Sequence, residues 1–391
     1  MTRDSVKTNT PFACLQITAE LGLGDAKDKN FVFSPYSIQL GLGLVANGAT
    51  GSTRREFLTF LDAENLNDLN SRDKQLVDKF SQTSENGPIV SFVGGIWVDQ
   101  SSTLKPTFKQ TAETIYKAMA ESVDFQDEMK RKEVIDRVNK WTEEATRGLI
   151  NSILPEDSVQ ATTSTVLANA IYFKGEWIDI FHKSYYSTFF LSDGSSIKEV
   201  PFMTNSSRQH VTTMEDFKIL SLPYKKSRGV SMYIILPKKK DGLWSLLEKV
   251  GSDPKFLENN VPRDFESVEM RRLEIPKFKI AYGFEANEVL QALGLNAPFS
   301  DEAELDEMVS GGSRRKISKV RHKSHIEVNE KETEAAAVTE ISDDEVGFSS
   351  FDDYIPPTVD FVANHPFMFM VRDDMTGVVL FMGHVVNPLL D

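Results

Sequence analysis

Residues 164–173 read S-T-V-L-A-N-A-I-Y-F. The run carries no charge and little polarity, as a central strand covered on both faces should. Helical patterning lies mostly before it. Pro35-Tyr36-Ser37-Ile38 opens a helix with Leu40, Leu42, Leu44 and Val45, capped by Ser34 with Pro35 in the first turn, and ending near Gly48. A short helix fits Thr53–Leu61, and another fits Lys132–Thr146, with Val134, Ile135, Val138 and Trp141 on one face. Strand-like runs dominate elsewhere, at Ile89–Val98, Lys218–Leu222, Ser231–Leu236, Val268–Ile280, His325–Val328, Phe367–Val371 and Val378–Val386. Helices come first and strands later, with no βα alternation, and no repeat or Pro/Gly/Ser-rich linker divides the chain. Residues 1–391 therefore read as one α+β domain with large antiparallel or mixed sheets.

One segment fits that sheet system less firmly. Residues 328–339 read V-N-E-K-E-T-E-A-A-A-V-T. At period two, Thr333, Ala335, Ala337, Thr339 and Ile341 share an uncharged face, while Glu334, Ala336, Val338 and Glu340 share a face that tolerates water. The alanine run favours a helix over a strand. A segment able to join a sheet but weakly committed to it is a candidate moving part. An acidic and aromatic stretch follows, from Glu340 to Pro356-Pro357.

The net charge of −14 argues against binding a nucleic-acid backbone, which needs clustered cations. The runs Lys238-Lys239-Lys240 and Arg314-Arg315-Lys316 read as solvated turns. Cys14 is the only cysteine, which excludes an intrachain disulfide, and its apolar setting (Phe12, Ala13, Leu15, Ile17) points to an inert buried thiol. No run reaches the ~18 apolar residues of a membrane span. The start, M-T-R-D-S-V-K-T-N-T, lacks the apolar core of a secretory signal, so a cytoplasmic location is expected, with nuclear or non-classical extracellular presence left open.

Catalytic constellations are missing. There is no H-E-x-x-H, no G-x-S-x-G and no Walker A loop, and Gly41-Leu42-Gly43 sits in a helical pattern without the third glycine of a dinucleotide fingerprint. Of six histidines only His322 and His325 are close neighbours, which gives a zinc site little support. The expectation is a protein that is not an enzyme, with no metal and no cofactor.

Several separated segments resemble one family, the serpins, in their plant type. Asn30-Phe31-Val32-Phe33-Ser34-Pro35-Tyr36-Ser37-Ile38 is similar to the family's N-F-x-x-S-P-x-S-I motif, and Gly48-Ala49-Thr50-Gly51-Ser52-Thr53 follows it as expected. Val138-Asn139-Lys140-Trp141 with Thr146 and Gly148 resembles the V-N-x-W segment. Asn169-Ala170-Ile171-Tyr172-Phe173-Lys174-Gly175-Glu176-Trp177 resembles the most distinctive motif. Leu222-Pro223-Tyr224, Ile275-Pro276-Lys277-Phe278, Leu293-Gly294-Leu295, the run from Asp360 to Phe367 and the run from Thr376 to Gly383 continue the match to the end of the chain.

The resemblance implies three β-sheets, eight or nine helices and an exposed reactive-centre loop at 332–357. It implies a suicide-substrate inhibitor: a protease attacks the loop, forms an acyl-enzyme, and is carried along as the cut loop enters the main sheet. Glu332, Thr333, Glu334, Ala335, Ala336, Ala337, Val338 and Thr339 correspond to the hinge, where inhibitory members usually carry Gly in place of Glu332. Ser34, Ser37, Asn169 and His322 map onto a polar cluster beneath the opening sheet, and Trp177 onto the point where the loop first enters.

Counting forward from the hinge places the cut after Val346, and counting back from Asp360-Phe361-Val362 places it at Ser350. The window is thus Val346, Gly347, Phe348, Ser349 and Ser350. No Lys or Arg occurs between Lys331 and Arg372, which excludes a trypsin-like target, whose pocket needs a cation. Phe348 or Phe351 suits a chymotrypsin-like serine protease, Phe348 placed one residue before the cut suits a papain-like cysteine protease, and Asp343, Asp344, Asp352 or Asp353 suits an Asp-specific one. The expected partner is that protease, met by a monomer with no nucleic-acid or membrane contact. The alternative is a non-inhibitory binding or storage protein of the same fold, whose loop is cut as a simple substrate.

Overall fold

The computed structural model describes residues 12–81, 88–181, 183–205, 208–227, 229–261, 267–311, 316–330 and 359–390. Among these residues there are nine α-helices and three main sheets, with a two-stranded ribbon besides. The apolar run at 164–173 forms the central strand of the fold. β3 (Thr165–Lys174) is buried along its length, and it lies in a five-stranded sheet with β1 (Ile89–Asp99), β2 (Met119–Val123), β4 (Phe278–Glu285) and β5 (Lys319–Val328), in the order β4-β5-β3-β1-β2.

Both faces of that sheet are covered, which explains the missing alternation. Below lies α1 (Pro35–Gly48), buried everywhere but at Asn47, as a helix apolar all round must be. Its start is fixed as expected: the Ser34 side chain accepts from the Ser37 N–H at 3.0 Å and Pro35 fills the first turn. At Gly41 a methyl group would come within 3.2 Å of the Asn169 amide, so glycine lets α1 approach β3 closely. Above lies α2 (Glu128–Ala145), whose Val134, Ile135 and Val138 form a separate apolar cluster with Trp97, Val166, Ala168 and Ala170.

A seven-stranded sheet, antiparallel throughout, runs Phe31–Phe33, Val379–Val385, Phe367–Asp373, Val230–Pro237, Phe217–Pro223, Gln209–Thr213, Ser267–Val268. A four-stranded sheet runs Val359–Val362, Met270–Pro276, Ser196–Thr204, Lys183–Phe190.

Three expectations are corrected. The run Val268–Ile280 is not one strand: it divides into Ser267–Val268, Met270–Pro276 and β4, which belong to three different sheets, with Pro276 and its missing N–H at the last break. β5 begins six residues before His325, because Lys319, Arg321 and Lys323 alternate with buried residues and disguise it as a polar stretch. α2 begins four residues before Lys132, at a cap where Asp127 accepts from the Lys130 N–H at 3.0 Å.

Candidate functional site

β3 and β5 lie side by side and parallel, in register from Lys319↔Val166 to His325↔Tyr172. Their outer neighbours, β1 and β4, pair with them antiparallel. A strand placed in the seam between β3 and β5, entering from the end of β5, would run antiparallel to both. It would replace slanted parallel hydrogen bonds by the slightly more stable antiparallel pattern. The chain leaves β5 at Val328 and reappears at Val359 in a different sheet, paired in parallel with Met270–Pro276.

Beneath the middle of the seam the sequence-named polar residues meet. The Ser34 N–H donates to His322 Nε2 at 3.0 Å, which requires that nitrogen to be unprotonated. The proton of the neutral ring is therefore on Nδ1, and it is given to Asn169 Oδ1. Asn169 Oδ1 also accepts from the Ser37 hydroxyl at 2.8 Å. Ser324, which the sequence reading overlooked, closes the set with its hydroxyl 2.7 Å from His322 Nε2. Its signal was available: it stands two residues from His322, on the same face of a strand. Burial pushes the His322 imidazole down to about 3, so it stays neutral at any physiological pH. These bonds tie α1 to both β3 and β5, and Asn169 Nδ2 has no partner among the described residues.

Trp177 lies apart from this cluster, at the end of the seam from which the chain leaves. Its ring stacks on Tyr224 with centroids 4.5 Å apart, and its Nε1–H donates to the Asn329 carbonyl at 2.9 Å. One residue further, Glu330 meets Lys277 Nζ at 3.0 Å. Burial works to raise the Glu330 carboxyl, but hydrogen bonds and the Lys277 charge prevail and hold it below the usual carboxylate range. The departing chain is thus pinned twice before residue 331. Lys277 lies 53 residues from its partner, with no local signal to reveal it. The returning chain is pinned as well. Asp360 receives a fork from Arg271, and Lys218 Nζ donates to the Asp360 carbonyl at 2.8 Å.

The hinge residues Glu332 to Thr339 and the window Val346 to Ser350 lie outside the described residues. His322 and His325 face opposite sides of β5, so the two cannot share a metal ion. Among the described residues there is no group of three potential metal ligands. Burial pushes the Cys14 thiol up to about 12, as its apolar setting predicts.

A family model described as "Serpin (serine protease inhibitor)" matches residues 8–388. Serpin-Z4 of Hordeum vulgare is 43% identical over 399 residues, covering 99% of this chain and 97% of its own. Serpin-ZXA of Oryza sativa subsp. japonica is 45% identical over 403 residues, covering 99% and 98%. Among solved structures, an Arabidopsis serpin in its native stressed conformation superposes with a TM-score of 0.86 at 39% identity, covering 97% of this chain and 96% of the other.

Proposed function

The chain belongs to the serpin family, and from that premise we propose that it traps a serine or cysteine protease as a suicide substrate. The supporting observation is the parallel seam, from one end of which the candidate loop departs. Strand addition to a sheet is a general mode of recognition for which serpins are a standing example.

The chemistry needs nothing from this chain but a peptide bond. The target's serine oxygen or cysteine sulfur attacks the carbonyl of the residue before the cut, within Val346 to Ser350. The C–N bond breaks, the new amine leaves with a proton, and the acyl carbon stays on the enzyme. The C-terminal piece remains held through Val359–Val362 and its Asp360–Arg271 fork. The other end is then free to enter the seam from Thr333 onward, with Thr333, Ala335, Ala337 and Thr339 turned inward. Each residue entering gains about 0.5–1.5 kcal/mol net in ladder hydrogen bonds, so ten residues release on the order of 10 kcal/mol before burial is counted. That is ample to drag an attached enzyme and distort its active site. The polar cluster beneath the seam suits this role, because its hydrogen bonds are exchanged, not lost, as β3 and β5 part.

A papain-like cysteine or chymotrypsin-like serine protease fits the loop, and a trypsin-like one does not, since the loop offers no cation. Glu332 favours the alternative, a non-inhibitory protein cut as a simple substrate, because Gly at that position gives the hinge backbone freedom that Glu lacks.

The decisive experiment mixes the protein with a panel of proteases and looks for an adduct that survives SDS. An adduct with at least one cysteine or chymotrypsin-like enzyme is expected, together with a higher melting temperature once the loop is nicked. Cleavage without an adduct anywhere, and without a gain in melting temperature, favours the alternative. Thr333→Arg places a charge on the inward face and is expected to turn the inhibitor into a substrate. Unchanged inhibition would overturn the hinge assignment.

A further inference from the structure

The seam carries one buried group that strand insertion does not call upon. His325 is only 3% exposed, and neither ring nitrogen has a hydrogen-bond partner among the described residues. It stands in register with Tyr172 of β3 and Ala281 of β4, which makes it the last of the pairs closing the seam, at the Trp177 end. It faces outward, opposite to His322.

Its surroundings are poor hosts for a positive charge. On the same face, Lys323 of β5 donates to the Ser152 carbonyl at 2.8 Å, and Lys279 of β4 stands across from Glu327. From β3 comes the Tyr172 ring, 6.3 Å away and tilted. Beyond it, Ser91 of β1 gives its hydroxyl to the Ala145 carbonyl at the end of α2. Glu327 is the carboxylate nearest to the ring along β5, and Lys279 opposes it. Burial pushes the His325 imidazole below its ordinary value, Lys279 adds to that, and Glu327 works against it.

We propose that His325 is a proton-operated latch on the seam: neutral, it packs as an apolar ring and holds β3 against β5, and protonated, it parts them at the Trp177 end to reach water. A neutral imidazole without partners costs far less in such a place than an unpaired imidazolium does. In the parted state the ring is solvated and takes a proton near the ordinary ~6.5 of histidine. The sign follows from that difference. The closed-state value is depressed, so the latch holds fully above ~6.5. It weakens as pH falls toward the depressed value, by up to about tenfold in the open-to-closed ratio per pH unit. An opening that also wets the inner face adds a second such factor from His322, so only a variant comparison isolates His325. On the inhibitory reading above, an acidic compartment is where the seam most readily takes a strand. The latch itself requires no protease to be observed.

The test is amide hydrogen exchange of the full chain between pH 7.5 and 5.0, corrected for intrinsic exchange, in the wild type and in His325→Phe. Residues 165–174 and 319–328 report the seam, and 367–373 serve as the reference. Below pH ~6.5 the wild-type seam is expected to open up to about tenfold more per pH unit than the variant, with no such difference at 367–373. His325→Gln, which keeps a polar side chain but does not titrate, must share the Phe variant's slope. Equal slopes in wild type and His325→Phe, a wild-type slope in His325→Gln, or a difference that extends to 367–373 would each overturn the latch.

Discussion

The seven-stranded sheet and the five-stranded sheet are built from similar residues but joined differently. The first is antiparallel in every pair, and its strand Phe367–Asp373 (F-M-F-M-V-R-D) is buried from end to end. The second has a parallel joint at its centre, with Asn169, His322 and Ser324 gathered under it. Apolar interlock in the first can be lost only to water, at full cost. Hydrogen bonds across the second can be remade with a newcomer strand at little net cost. One sheet is a foundation, and the other contains the parallel joint that the proposed function has part.

Three substitutions test that contrast. Phe369→Ala has the largest expected effect, because the side chain is fully buried and meets the Phe278 ring at 5.3 Å. About 3–5 kcal/mol of global stability should be lost in denaturant titration. Exchange in β3 and β5 should rise no more than exchange elsewhere. Asn169→Ala removes the acceptor shared by Ser37 and His322 and should cost about 2 kcal/mol. Here the loss should be local, with amides of β3 and β5 opening before the rest. If Asn169→Ala and Phe369→Ala give the same exchange pattern, the two sheets are not mechanically distinct. Lys277→Ala has the smallest effect. Its pair with Glu330 is partly exposed and should contribute about 0.5 kcal/mol, a difference that fades in high salt. Proteolysis of the 329–358 segment in low salt is the sensitive readout, and a faster cut is expected in the variant.

Legibility in the sequence followed the range of the interactions. β3 declared itself through an unbroken apolar run, and α1 through its cap and proline. The polar cluster was legible only as a set of family correspondences, since its members lie as far apart as Ser34 and His322 and no local pattern joins them. The first half of β5 was hidden because its outward residues are cations lying along a covered sheet: Arg321 and Lys319 are paired with Glu285, a contact between strands that no single-segment pattern displays. The helices Phe12–Leu23 and Leu66–Ser81 went unread for opposite reasons, the first being buried with little amphipathic contrast and the second being rich in charge. The Lys277–Glu330 and Arg271–Asp360 clamps escaped for the same reason as the cluster: only the folded sheets bring them together.

The seven-stranded sheet has a further consequence for how the protein comes into being. Its first strand in the chain, Phe31–Phe33, pairs with its last, Val379–Val385, and the Asn30 side chain bonds the carbonyls of Asn387 and Leu390. A ribosome must therefore make nearly the whole chain before that edge can form. Until then, the apolar residues awaiting Phe367–Asp373 and Val379–Val385 stay uncovered, which exposes the incomplete chain to aggregation. The strands that complete the foundation arrive last, after the segment at 331–358 has already been synthesised.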